Sequence, residues 1–163
     1  MKYKLFAVLT LIFSITIAKA QQDNQELANF FKSYSEESLK LFPFNATSIG
    51  DTRYDDRLFA DFTNSYKATL REFYLHYLGG IKKFNRENLN KNDQISYDIF
   101  KRDMEMGAEG ITYNDNLAPF NQFTGMPLTI GQYGSGTVIQ PFKTVKDYDN
   151  WLRRASRFSV WVD

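Results

Sequence analysis

The chain has 163 residues, 43% hydrophobic and 17% aromatic, with ten Tyr, fifteen Phe and no Cys. A formal charge of +1 gives no basic excess for a nucleic-acid partner, and the absence of Cys excludes both a disulfide framework and a lipid-attachment thiol. Such a chain is held by its core, and with this composition the core must be built from packed aromatic rings.

Lys2 and Lys4 precede an uninterrupted run of apolar and small residues from Leu5 to Ile17, and Ala18-Lys19-Ala20 then supplies small side chains at both signal peptidase positions. As a helix that run spans only about 20 Å, whereas a bilayer core needs about 20 residues, so residues 1–20 read as a cleavable signal peptide rather than an anchor. Cleavage after Ala20 removes three lysines and no acid, taking the formal charge from +1 to −2. The expected protein is exported, periplasmic or secreted, with no nucleic-acid partner and no membrane association once the signal is gone.

Leu27, Phe30, Phe31, Tyr34 and Leu41 fall on one face of a first helix that starts at Asn24, and Pro43 stops it. Residues 43–51 carry breakers and cap formers and read as a structured connection. A second helix is expected from near Thr63, with Tyr66, Leu70, Phe73, Tyr77, Ile81 and Phe84 as its apolar stripe. Gly79-Gly80 in its middle costs about 2 kcal/mol relative to alanine, which calls for either a kink or a close helix contact. A third helix is expected over 92–107, with Ile95, Ile99 and Phe100 as core candidates, Met104 on the same side, and Gly107 and Gly110 as stop signals.

From Ile111 to Phe142 the periodicity vanishes among four glycines and three prolines, and residues 111–142 read as a long irregular loop. Thr144 with Asp147 resembles a capping box, and Tyr148, Trp151, Leu152, Ala155, Phe158 and Val162 form the stripe of a last helix. That stripe runs to Asp163 without a glycine terminator or a polar tail. The expected fold is mostly α: an antiparallel helical layer or bundle with a long irregular loop, residues 21–163 being the N-terminal helical part of a larger domain.

Candidate chemistry is sparse. Zinc hydrolysis needs several His, Cys or carboxylate ligands around an open position, and His76 is the single His, on the flank of the second helix, where it reads as a solvated or boundary residue. Asp51, Asp55 and Asp56 surround Arg53 and Tyr54 but miss the calcium-loop spacing, so a turn with an ion pair to Arg53 or Arg57 is the better reading. The run from Gly131 to Gly136 fits neither the dinucleotide fingerprint nor the P-loop and reads as a flexible connection. No Gly-x-Ser-x-Gly elbow exists. Asn45-Ala46-Thr47 matches the N-glycosylation pattern, although Thr47 can equally serve as a cap. Tyr113, Phe120, Phe123 and Tyr133 could stack on sugars or close a groove, but packing or docking is the simpler role. No catalytic, cofactor-binding or metal-ligating residue is assigned, and no cofactor is expected in this chain.

Several short words along the chain do carry a resemblance. They are Leu41-Phe42-Pro43, Ala46-Thr47, Gly50-Asp51 and Tyr54-Asp55-Asp56-Arg57-Leu58, then Asp93-Gln94-Ile95-Ser96-Tyr97-Asp98. Pro119-Phe120-Asn121-Gln122 with Gly125, and Pro141-Phe142-Lys143-Thr144 with Asp147-Tyr148, complete the set. In this order they resemble the start of the bacterial secreted proteins grouped as domain of unknown function family 885. Members of that family are similar to helical zinc metallopeptidases and carry an H-E-x-x-H motif on a helix far downstream of this region. The resemblance implies zinc and a peptide substrate for the full-length protein, and for this chain the role of a helical layer walling a catalytic cleft. Its partner would be the missing C-terminal part of the same protein. The competing class is a stand-alone secreted helical binding module for a glycan or protein partner. The uncapped, still amphipathic ending at Trp161-Val162 favours the first.

Overall fold

The computed structural model describes residues 24–114, 117–118, 123, 125–137 and 139–162. Residues 1–20, where a signal peptide is expected, therefore lie outside the described residues, as does Phe120. Helix α1 spans Gln25–Leu41, α2 Pro43–Ser48, α3 Asn64–Ile81, α4 Lys91–Gly110, α5 Met126–Gly134 and α6 Val145–Val162. Short 3₁₀ turns at Thr52–Tyr54 and Arg86–Asn88 break the connections, and no strand occurs among the described residues.

The start of each long helix is written in a cap. Asn24 Oδ1 accepts the Leu27 N–H at 3.0 Å, Thr63 Oγ1 that of Tyr66 at 3.3 Å, and Asn90 Oδ1 that of Asp93 at 2.9 Å. Asp93 Oδ2 also accepts the Asn24 N–H at 2.9 Å, which brings the N-termini of α1 and α4 together on one carboxylate. α3 runs antiparallel to both. Along it Phe73 meets Tyr34, while Ile81, further on, packs with Leu27, Leu89 and Tyr97.

The expected aromatic core is present. Phe30 lies 5.5 Å from both Tyr77 and Phe100, centroid to centroid, and Tyr34 stacks on Phe73 at 5.3 Å. Gly79-Gly80 makes a close contact, since a Cβ on Gly80 would sit 2.5 Å from the Phe30 ring, whereas Gly79 faces open space. Gly107, expected to stop α4, is instead inside it, where a Cβ would meet the Tyr74 ring at 2.6 Å.

Other expectations need correction. α4 begins at Lys91, about where expected, with Asn90 as its cap, but it runs past the expected stop at Gly107 to Gly110. Ile95 and Ile99 are not core residues: they are 58% and 57% exposed, while Tyr97 and Met104 are buried and Phe100 packs against both core clusters. The two isoleucines lie on the opposite side of the helix from Tyr97, and the face that carries Gly107 can approach α3 more closely. Residues 43–51 contain α2, with Pro43 in its first turn, so the proline that ends one helix opens the next.

The supposed loop 111–142 contains α5. Gly125 turns the chain at φ +137° and Pro127 fits the first turn, where a missing N–H costs nothing. The run Gly131–Gly136 is accordingly helical up to Gly134, whose bareness admits the Trp151 ring to 2.5 Å from where a Cβ would stand.

The capping box of α6 is reciprocal. Thr144 Oγ1 accepts the Asp147 N–H at 3.2 Å, and Asp147 Oδ2 accepts the N–H groups of Thr144 and Lys143 at 2.8 and 2.9 Å. These bonds, the Thr144 amide first, hold the Asp147 carboxyl below the ordinary carboxylate range. The expected stripe is only partly buried, however. Trp151, Ala155 and Phe158 are half-buried and Tyr148, Leu152 and Val162 are exposed, while the fully buried residues of α6 are Asn150, Arg154 and Trp161. No helix among the described residues is long and apolar enough to cross a membrane.

Candidate functional site

Arg154 determines how α6 sits. Its guanidinium is fully buried and forks into four acceptors: Arg57 O at 3.0 Å, Gln140 Oε1 at 2.6 Å, Thr47 Oγ1 at 3.0 Å and Tyr54 O at 2.7 Å. Its plane lies over the Phe44 ring, 4.6 Å from the centroid. Thr47 Oγ1 in turn donates to Asp55 Oδ1 at 2.6 Å, and the Arg154 and Asp55 charges stand 3.9 Å apart. Burial pulls the guanidinium down to about 10, opposed chiefly by the Asp55 charge, so it remains cationic at neutral pH. Asp55 Oδ2 and Gln140 Nε2 are buried without a hydrogen-bond partner among the described residues, so the node stabilises less than its bond count suggests.

The acidic cluster read from the sequence thus divides. Asp51 and Glu36 take the Arg53 guanidinium at 2.6 and 2.8 Å on the surface, whereas Asp55 turns inward. Hydrogen bonding to Arg53 holds both surface carboxyls below their ordinary range, although solvent screens such pairs. Thr47 is a buried bridge and not a cap. The signal that could have exposed this node is the polar pair Asn150 and Arg154, one helical turn apart on the face of α6 opposite Leu152.

Two turns beyond Arg154, on the same face, Trp161 Nε1 donates to Asp61 Oδ1 at 2.8 Å. Both residues line a cavity of about 430 Å³ where α3, the end of α4, the start of α5 and α6 converge. Lys67, Leu70 and Tyr74 of α3, Gly107 and Gly110 of α4, and Gly125 and Met126 line it together with Asp61, Phe62 and Trp161. A smaller hollow of about 180 Å³ adjoins it, sharing Asp61 and Met126, and its other walls include Leu41, Pro43, Phe44, Asn45, Phe59 and Tyr66. Burial, with help from the Asp61 and Tyr74 charges, raises the Tyr66 hydroxyl well above its ordinary value, and that hydroxyl donates to Leu41 O at 2.6 Å. None of these lining residues was singled out from the sequence as a site.

His76 is exposed on α3 and stacks edge-on against Tyr77 at 5.1 Å. No group of three or more His, Cys, Asp or Glu able to hold a metal occurs among the described residues, so they do not fit a zinc site. Tyr133 packs edge-on against Phe44 at 4.7 Å and bonds Ser48 at 2.9 Å, while Tyr113 and Phe123 are exposed.

The fold and its groove thus define an all-α helical layer whose last helix is locked to the second through a buried arginine. The model for bacterial proteins of unknown function, DUF885, matches residues 43–163, and the chain belongs to that family. No curated protein and no solved structure matches it.

Proposed function

We propose that this chain is the N-terminal helical layer of an exported protein similar to zinc metallopeptidases. It packs on a catalytic body of the same protein and walls its cleft. The observation that carries the reading is the exposed side of α6, which is divided lengthwise. Val145, Tyr148, Leu152 and Val162 are all more than half exposed, and with Ala155 they make a charge-free strip, beside a second strip of Lys146, Asp149, Arg153 and Arg157 that holds one exposed apolar residue, Val160. Apolar residues scattered over a surface need no explanation, but a charge-free strip four turns long beside a mainly charged one is the pattern of a helix with a neighbour on one flank. Ile95, Ile99 and Met106 form a second exposed apolar row on α4.

The export signal at Lys2, Lys4 and Ala18-Lys19-Ala20 and the family's similarity to peptidases with H-E-x-x-H support the rest. In that motif two His one turn apart hold zinc and the Glu activates water, and the motif would lie in the body. Metal analysis and peptide hydrolysis on the exported protein from its native cells test this. Stoichiometric zinc and chelator-sensitive cleavage are expected, with neither in residues 21–163 alone. A zinc-free, inactive exported protein would contradict it and favour the second reading, a secreted helical module that binds a glycan or protein partner through the groove at Asp61.

A further inference from the structure

We infer that the Arg154 node encloses a binding site for one neutral molecule that accepts from Gln140 Nε2 and donates to Asp55 Oδ2, and that this ligand is water. Both atoms are buried without a hydrogen-bond partner among the described residues, on residues that are 3% and 1% exposed. Buried polar atoms in that condition are rare in folded proteins, because each gives up its hydration with nothing in return. Here two occur in one node, and they are of opposite kind, an amide donor and a carboxylate acceptor.

The remaining bonds of the node fix both orientations. Arg154 Nη1 donates to Gln140 Oε1 at 2.6 Å, and a guanidinium accepts nothing, so turning the amide over would set donor against donor. Thr47 Oγ1 donates to Asp55 Oδ1 at 2.6 Å, which leaves Oδ2 as the open end of the carboxylate. Charge then selects the ligand. The Arg154 guanidinium and the Asp55 carboxylate stand 3.9 Å apart and cancel, so an added ion would leave a net charge in the interior, whereas water adds none and both donates and accepts. Gln140 belongs to the connection between α5 and α6, and Asp55 follows the Thr52–Tyr54 turn, so the water fastens one connection to the other. Enclosed by the groups that hold Arg154, it exchanges only when α6 lifts that side chain out. This inference stands apart from the catalytic-body reading and does not need a metal.

A crystal structure of the exported protein, at a resolution that shows ordered solvent, should place one water within hydrogen-bond reach of both Gln140 Nε2 and Asp55 Oδ2. Oxygen-17 relaxation dispersion of the same protein in solution counts the waters that outlive its tumbling. Gln140→Leu, which removes the orphaned donor, should lower that count by one. If this variant fails to fold, the crystal structure of the wild type still decides. A direct bond between Nε2 and Oδ2, an ion in the bridging position, separate waters on the two atoms, or a count unchanged by Gln140→Leu would overturn the proposal.

Discussion

Asp55 and Arg154 face each other across the hydroxyl of Thr47, which accepts from the guanidinium at 3.0 Å and donates to the carboxylate at 2.6 Å. A hydroxyl has one proton, and the shorter, charge-assisted contact with Asp55 claims it over the Pro43 carbonyl at 3.1 Å. The bridge ties α6 to residues about a hundred positions earlier, and through α6 it holds Trp161 against Asp61.

Arg154→Met strands the buried Asp55 carboxylate and orphans the Tyr54 and Arg57 carbonyls, and should cost about 3–5 kcal/mol. Asp55→Asn keeps the acceptor for Thr47 and removes only the charge, and should cost about 1–2 kcal/mol. Urea unfolding followed by circular dichroism measures both. Equal stability of Arg154→Met and wild type would show that the node is not a fastening.

Three of the helical glycines, Gly79, Gly80 and Gly107, should respond with opposite signs. Gly80→Ala and Gly107→Ala drive a methyl into the rings of Phe30 and Tyr74, the first held among Phe31, Tyr77, Phe84 and Phe100, and should each lose about 1–3 kcal/mol. Gly79→Ala, with nothing within 4 Å, should gain about 0.5–1 kcal/mol from helix propensity. Thermal melts of the three variants separate close packing from a kink.

These glycines also show where the sequence was legible. The α3 stripe from Tyr66 to Ile81, the caps at Asn24, Thr63 and Thr144, and the aromatic core all follow from periodicity and local hydrogen bonding, which a sequence states directly, whereas Phe84, expected on the same stripe, lies past the end of the helix. Whether Gly80 bends a helix or admits a ring depends on Phe30, fifty residues away, and no local pattern carries that. Ile95 and Ile99 misled because hydrophobicity marks what can be buried, whereas the small Gly107 decided which face was. The groove escaped notice for the same reason: Asp61, Lys67 and Trp161 sit on three different elements, and only packing brings them together.

Burial raises the hydroxyls of Tyr34, Tyr66, Tyr74 and Tyr77 above their ordinary value. The unfolded chain therefore releases these protons first, so their contribution to stability is intact below about pH 10 and declines as pH rises above it. Tyr74→Phe, whose shift comes from burial alone, should make that decline shallower. Denaturant midpoints at pH 8, 10 and 11 check the sign, and a midpoint that rises with pH would refute it.

Export should yield a mature protein whose first residue is Gln21. Mass spectrometry of the periplasmic or secreted fraction reads this directly. Intact Met1 recovered only with membranes would identify the apolar run from Leu5 to Ile17 as an anchor.

The central claim is that the uncharged strip of α6 is covered in the native protein while the charged strip beside it is not. Because residues 1–163 contain no cysteine, thiol labelling can compare Leu152→Cys with its neighbour Arg153→Cys, both exposed in the helical layer alone. In the protein as its native cells export it, alkylation at 152 should be at least about tenfold slower than at 153, and in residues 21–163 alone the two rates should converge. Equal rates at both positions in the exported protein would contradict the account.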